Sequence, residues 1–197
     1  MIENPLFDIF GQVHNPNIQV GEIRRYNIID KLHCSINIDD SQEKISLEGF
    51  DSFVFILKND RLNEKTDLIF YNNLSDKNGI INELSETSES SDIELVIDLS
   101  KIEINSQKVE IYIKFEYAPI KNSLLDLLKK KKFLKIGFDF SIRTGDGIQI
   151  EGGFSYVEHP ITIKLLEITK DNQETFSIHF TSLECNRKID EIIKERY

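Results

Sequence analysis

Cysteine is scarce in this chain. Its 197 residues hold two, Cys34 and Cys185, so no disulfide framework can hold the fold together. A bond between the two is not expected, and a reducing, cytoplasmic compartment is the natural setting. No run approaches the ~20 apolar residues that a membrane-spanning helix needs. The opening Met1-Ile2-Glu3-Asn4-Pro5 has no basic segment and no long apolar one, so no secretory signal is expected. Basic charge is also short: 24 Lys and Arg stand against 34 Asp and Glu, a net charge of −10. Nucleic-acid binding works by neutralising phosphates with cations, so this balance argues against it. It suits a protein that attracts cations or a basic partner.

Catalytic signatures are missing as well. The sequence has no Gly-x-Ser-x-Gly elbow, no phosphate-binding Walker loop and no dinucleotide glycine pattern. The four histidines, His14, His33, His159 and His179, are never spaced i, i+3 or i, i+4, and no Cys/His pair is close enough to suggest zinc. An enzyme is therefore not expected. The chain is long enough for one domain with a substantial core, and residues 1–197 read as that single domain.

What the chain does have is a period of two. Val109, Ile111, Ile113, Phe115 and Tyr117 point one way; Glu110, Tyr112, Lys114 and Glu116 point the other. The pattern returns in Leu134, Ile136, Phe138, Phe140 and Ile142, and in Phe176, Ile178 and Phe180. Further strands are expected at residues 18–20, 32–39, 53–57, 68–71, 93–99, 148–150 and 161–168. Many short strands separated by turn signals, such as Asp76-Lys77-Asn78-Gly79, predict an all-β antiparallel sandwich. Cys34 alternates in phase with Leu32, Ile36 and Ile38 and reads as a core residue.

Two segments break that period. Asn122 or Ser123 can cap a helix through Leu124, Leu125, Leu127 and Leu128, ending in Lys129–Lys132. This inserted helix and its lysines fit an anionic membrane surface or an acidic protein, or simply a solvated helix end packed on the sandwich. Near the end of the chain Ile189, Ile192 and Ile193 predict a helix docked by that stripe. Residues 85–91, with four serines and two glutamates, read as a loop. From 82 to 100 there are six acidic residues and no Lys or Arg, a run that calls for a cation or a basic partner.

The segment Asp67-Leu68-Ile69-Phe70-Tyr71-Asn72-Asn73-Leu74 reads as a central strand, apolar on both faces, that ends in two amides. It resembles the signature strand of the TerD family, the bacterial tellurium-resistance and stress proteins. Leu32 to Asp39 resembles that family's early Gly-Trp-Asp strand, with Ile38 where the family has Trp. Asp51 to Leu57 resembles its second Asp-led strand, Asp92 to Leu99 the strand after its acidic loop, and Val109 to Phe115 the next one. Residues 154–182 follow the family order more loosely. The chain departs from the pattern by an insertion over about residues 118–153 and by lacking a Trp-containing last strand, an edge its C-terminal helix would cover.

The resemblance implies a TerD-like antiparallel β-sandwich, to which this chain adds one inserted helix and a C-terminal helix, and Ca²⁺ bound by acidic loops. Ca²⁺ takes roughly 6–8 oxygens at about 2.3–2.6 Å. Asp51, Glu89 and Asp92 are the leading candidates as ligands, with Asp39, Asp67 and Asn73 behind them. The family loop is rich in Asp and Gly; here its glycines are replaced by Ser, Thr and Glu, which weakens a metal site. The alternative for these side chains is a solvated acidic loop with Asp residues capping turns. The implied function is a non-enzymatic stress or tellurium-resistance protein that responds to Ca²⁺. The other reading is an interaction or assembly module that uses the insertion and its lysines to bind a protein partner or a second copy.

Overall fold

The computed structural model describes residues 21–27, 31–39, 47–70, 73–86, 93–117, 135–144, 149–158, 161–185 and 187–197. They form two antiparallel sheets. One has β1 (Ile23–Asn27), β11 (Thr175–Cys185), β10 (Thr162–Lys170), β7 (Gln107–Tyr117), β3 (Leu47–Lys58) and β4 (Leu68–Ile69), in that order. The other has β5 (Ile81–Glu86), β6 (Ile93–Asp98), β2 (Lys31–Asp39), β8 (Lys135–Thr144) and β9 (Gln149–Glu158). A single α-helix among the described residues, α1 (Ile189–Arg196), follows β11.

The sheets face each other because their alternating residues share one apolar layer. Leu32, Cys34 and Ile36 of β2 and Ile93, Leu95 and Ile97 of β6 meet Val109, Ile111 and Ile113 of β7 and Phe176, Ile178 and Phe180 of β11. The period of two thus gives the sandwich expected from it. Cys34 lies in this layer as a free thiol, and burial pushes its pKa up to about 12. In β10 the register shifts between Lys164 and Leu166. The extra residue lets both Leu165 and Leu166 be buried.

Several expectations need correction. The strand that begins at Leu68 is not central: β4 is a two-residue strand at the edge of its sheet. Its double-sided apolar character has another cause. Ile69 faces the shared core, while Leu68 and Phe70 face outward into a second apolar cluster with Phe53, Phe55, Leu57, Tyr112, Ile189 and Ile192. The helix α1 covers that outer face by its isoleucine stripe, as the spacing predicts. It lies on the face of the sheet over β3, β4 and β7 and does not close an edge.

Ser85 and Glu86, read as loop, end β5 and pair with Glu94 and Ile93. Backbone pairing with β6 overrides a serine-rich composition that on its own favours coil. The strand expected at 148–150 runs on to Glu158. The strand β1, Ile-Arg-Arg-Tyr-Asn, has too little alternation to be read from sequence; its charges suit an edge. Tyr26 still packs on Phe176, with ring centroids 5.6 Å apart. Gly79 takes φ +70° in the turn that leads to β5, where its N–H donates to the Asp76 carbonyl at 3.2 Å. The expected strand at 18–20 and the inserted helix at 122–132 lie outside the described residues.

Candidate functional site

The candidate ligands are placed as follows. Asp51 is on the outward face of β3, directly opposite Lys114 of β7. Lys114 Nζ donates to Asp51 Oδ2 at 2.9 Å and to Glu116 Oε1 at 2.6 Å. These bonds, Glu116 first and Asp51 second, raise the Lys114 pKa above its ordinary value. Two carboxylates therefore share one ammonium, and the group carries one net negative charge.

Asp67 closes a short 3-10 turn, Lys65–Asp67. Its Oδ2 accepts from the Glu64 N–H at 3.0 Å, one half of a capping box, and the residue is buried. Asn73 donates its side-chain N–H to the Leu68 carbonyl at 2.8 Å, and its backbone pairs with Phe70. Asp67 and Asn73 thus come together around Leu68. Asp51 does not join them. The register places Leu68 opposite Phe55, so Asp67 is level with Ile56, five residues or about 17 Å along β3 from Asp51. Asp39 ends β2 in the other sheet, opposite Gly137. Glu89 and Asp92 lie outside the described residues. Among the described residues no three Asp, Glu, His or Cys side chains form a group that could hold a metal ion.

Beside Asp51 is a groove of about 590 Å³ at the N-terminal end of α1. Phe53, Phe70 and Ile189 give it apolar walls; Lys114, Glu116 and Asp190 give it charge of both signs. Phe53 stacks on Phe70 with centroids 6.1 Å apart. Ile161, also on the groove, is 41% exposed.

Sequence reasoning missed the most heavily charged place in the described structure. Glu110 is fully buried on the outer face of β7. Its carboxylate accepts from Lys164 Nζ at 2.7 Å, from the Tyr112 hydroxyl at 2.9 Å and from Arg196 Nη2 at 3.2 Å; Lys108 Nζ is 3.1 Å away. Burial opposes the charge on Glu110. Lys164, then Lys108 and Arg196, outweigh it and hold the pKa down to about 2. Lys108 also pairs with Asp60 at 2.7 Å, and Lys164 with Glu167. Three cations thus meet three carboxylates, and the cluster is neutral. The alternation of β7 put Glu110 on the outward face, which it occupies. Nothing local announced that α1 and β10 would bury it there.

The pKa of the Tyr112 phenol beside Glu110 moves the other way, pushed up chiefly by burial and next by the carboxylate. No helix among the described residues is long and apolar enough to cross a membrane.

Comparison with known proteins gives a consistent picture. A family model described as the TerD domain matches residues 12–132, more than half of the chain. The comparison with curated proteins finds no match. Among solved structures, the crystal structure of a homologue of telluride resistance protein (TerD), SCO6318 from Streptomyces coelicolor A3(2), superposes with a TM-score of 0.54 at 10% identity. The match covers 84% of this chain and 95% of that one. A protein of unknown function, SAV2460, gives a TM-score of 0.54 at 11% identity with the same coverage. At such identities the structures testify to the fold alone, and the two-sheet arrangement agrees with it. The family assignment rests on the domain match and on the order of strands from β2 to β7: this chain belongs to the TerD family.

Proposed function

We propose that this TerD-family chain acts in a stress or tellurium-resistance response as a non-catalytic, cytoplasmic binding module, and that its ligand is a protein. The observation that carries this reading is the Lys114 ammonium between Asp51 and Glu116. A lysine there supplies the positive charge that a metal ion would otherwise bring. Asp67 and Asn73 are likewise occupied, one capping a turn and the other closing it. The partner side is carried by Leu124 to Lys132, whose leucines and lysines suit an acidic protein surface or a second copy of the chain. An anionic membrane surface is the other target for those lysines.

Calcium titration tests the choice. The melting temperature is expected to stay constant in millimolar Ca²⁺, because a ligand that binds only the folded state raises it by linkage. A rise that disappears in Asp51→Asn with Asp92→Asn would establish the calcium reading instead. That second reading is favoured by the domain match, which spans all of Asp39, Asp51, Asp67, Asn73, Glu89 and Asp92. Lys114→Met separates the two further. If lysine stands in for the ion, removing it creates a calcium response that the parent lacks. For the partner, deleting residues 122–132 is expected to abolish association while the sandwich still melts cooperatively. Unchanged association would remove the insertion from the account.

A further inference from the structure

The groove of about 590 Å³ opens on the outer face of the six-stranded sheet, beside the first turn of α1. Phe53 and Phe70 stack as its apolar wall, and it ends at Ile161, which is 41% exposed. Its charged side holds three carboxylates, Asp51, Glu116 and Asp190, against two ammoniums. One ammonium, Lys114, already lies between Asp51 and Glu116. Asp190 makes no ion pair among the described residues. The groove thus keeps one negative charge in excess, and the chain around it has a net charge of −10. What fits it is an apolar stretch followed closely by cations.

The chain supplies one such sequence. Leu124-Leu125-Asp126-Leu127-Leu128 runs directly into Lys129–Lys132, the only place in the sequence with four consecutive cations. These residues lie outside the described structure, but the strands on either side of them do not. Tyr117, the end of β7, follows the groove residue Glu116. Lys135, the start of β8, pairs with Glu158, three residues before the groove residue Ile161. Lys135 is therefore within roughly 16 Å of Ile161. The Phe115 N–H in turn donates to the Ile161 carbonyl at 3.1 Å, which joins the two exits. The stretch leaves and rejoins the body close to the rim of the groove.

Within one chain the lysines are drawn away from that rim. Lys132 is three residues from Lys135, and β8 belongs to the opposite sheet, about 10 Å behind the face on which the groove opens. Across a twofold axis near the rim, each copy can lay its stretch in the groove of the other. Such an isologous pair makes the same contact twice.

We infer that this groove receives the leucine–lysine stretch of a second copy, and that two chains exchange these stretches reciprocally. The inference rests on the reading that residues 122–132 mediate association, and it names the surface they meet. The leucines lie along the Phe53–Phe70 wall toward Ile161. The lysines meet Asp190 and the oxygens of Asp51 and Glu116 that Lys114 leaves unused. Opposite charge aligns the two copies and excludes a parallel stacking of like surfaces.

Sedimentation velocity of the full chain over the micromolar range tests it, with two charge-reversed variants. One carries Glu116→Lys and Asp190→Lys at the exposed rim of the groove. The other has Lys129, Lys130, Lys131 and Lys132 all changed to Glu. The parent is expected to dimerise. Each variant alone is expected to dimerise at least tenfold more weakly, because like charges then face each other. An equal mixture of the two is expected to recover the parent's affinity, because each stretch again meets a groove of opposite sign; recovery also shows that both variants fold. A groove variant that dimerises as tightly as the parent, while deletion of residues 122–132 abolishes dimerisation, would overturn the groove and leave the role of the segment standing. Dimerisation that survives the deletion would remove both. A parent that stays monomeric would also overturn the inference. Faster hydrogen exchange at Ile189 and Asp190 on deletion would then assign the stretch to the groove of its own chain.

Discussion

Replacing Glu110 with Gln keeps the shape of the side chain and removes its charge. The effect can be worked from the structure. Lys164, Lys108 and Arg196 hold this buried carboxyl at about 2, against 4.5 for a free one. That difference corresponds to roughly 3 kcal/mol of stability at neutral pH. The cations are not left bare by the substitution, since Lys108 keeps Asp60, Lys164 keeps Glu167 and Arg196 keeps the Asp60 carbonyl at 3.3 Å. The loss is therefore expected near 3 kcal/mol rather than above it. At this chain length each kcal/mol moves the melting temperature by roughly 2–4 °C, so Glu110→Gln is expected to melt about 6–12 °C lower at pH 7. The pH dependence gives the sign. A depressed carboxylate contributes its full stability above the unfolded value and loses it as pH falls through the folded one. The gap between parent and variant is expected to hold down to about pH 5 and to narrow between about pH 4.5 and pH 2. Thermal melts by circular dichroism across that range are the assay. A melting temperature within about 2 °C of the parent at pH 7, below the shift worked from linkage, or a gap that does not narrow in acid, would refute the reasoning.

Three further outcomes follow from the same structure. Phe55 is fully buried between β3 and α1 and meets Tyr112 edge-on at 4.9 Å, so Phe55→Ala is expected to cost about 3–5 kcal/mol, read from the urea midpoint; a loss under about 1 kcal/mol would mean that this face is not packed as described. Asp76 accepts from the Ile81 N–H at 2.6 Å and the Asn78 N–H at 2.8 Å. Asp76→Ala leaves the buried Ile81 N–H unpaired and is expected to cost about 1–3 kcal/mol, with Asp76→Asn milder because it keeps an acceptor. In a Cys185→Ser background, Cys34 is expected to resist iodoacetamide at pH 8 until urea unfolds the chain, since its buried thiol titrates only at about 12; rapid labelling of the folded protein would count against a closed core.

The alternation of β2, β6, β7 and β11 was legible because a period of two over six or more residues has one explanation in a half-buried strand. The turn at Asp76 to Gly79 and the isoleucine stripe of α1 were legible for the same kind of reason: local chemistry with few outcomes. The strand β1 was not, since Ile-Arg-Arg-Tyr-Asn becomes a strand only by pairing with β11. At β4 the sequence showed two apolar faces but could not tell a central strand from an edge strand under a helix. Of the candidate ligands, residue type and strand-end position were visible, and the partners were not. Asp51 faces Lys114 only because β3 and β7, some sixty residues apart, take one particular register.

The sequence alone determined that this chain builds an antiparallel sandwich, through its alternation, and that the sandwich is of TerD type, through segments that resemble that family's strands in the same order; both are properties of the chain read in one dimension. Tertiary structure decided what each charge does. It set Lys114 between Asp51 and Glu116, and it buried Glu110 where β7, β10 and α1 meet. Those pairings depend on distances across strands and on exclusion of water. Neither exists until the sheets have closed on their core.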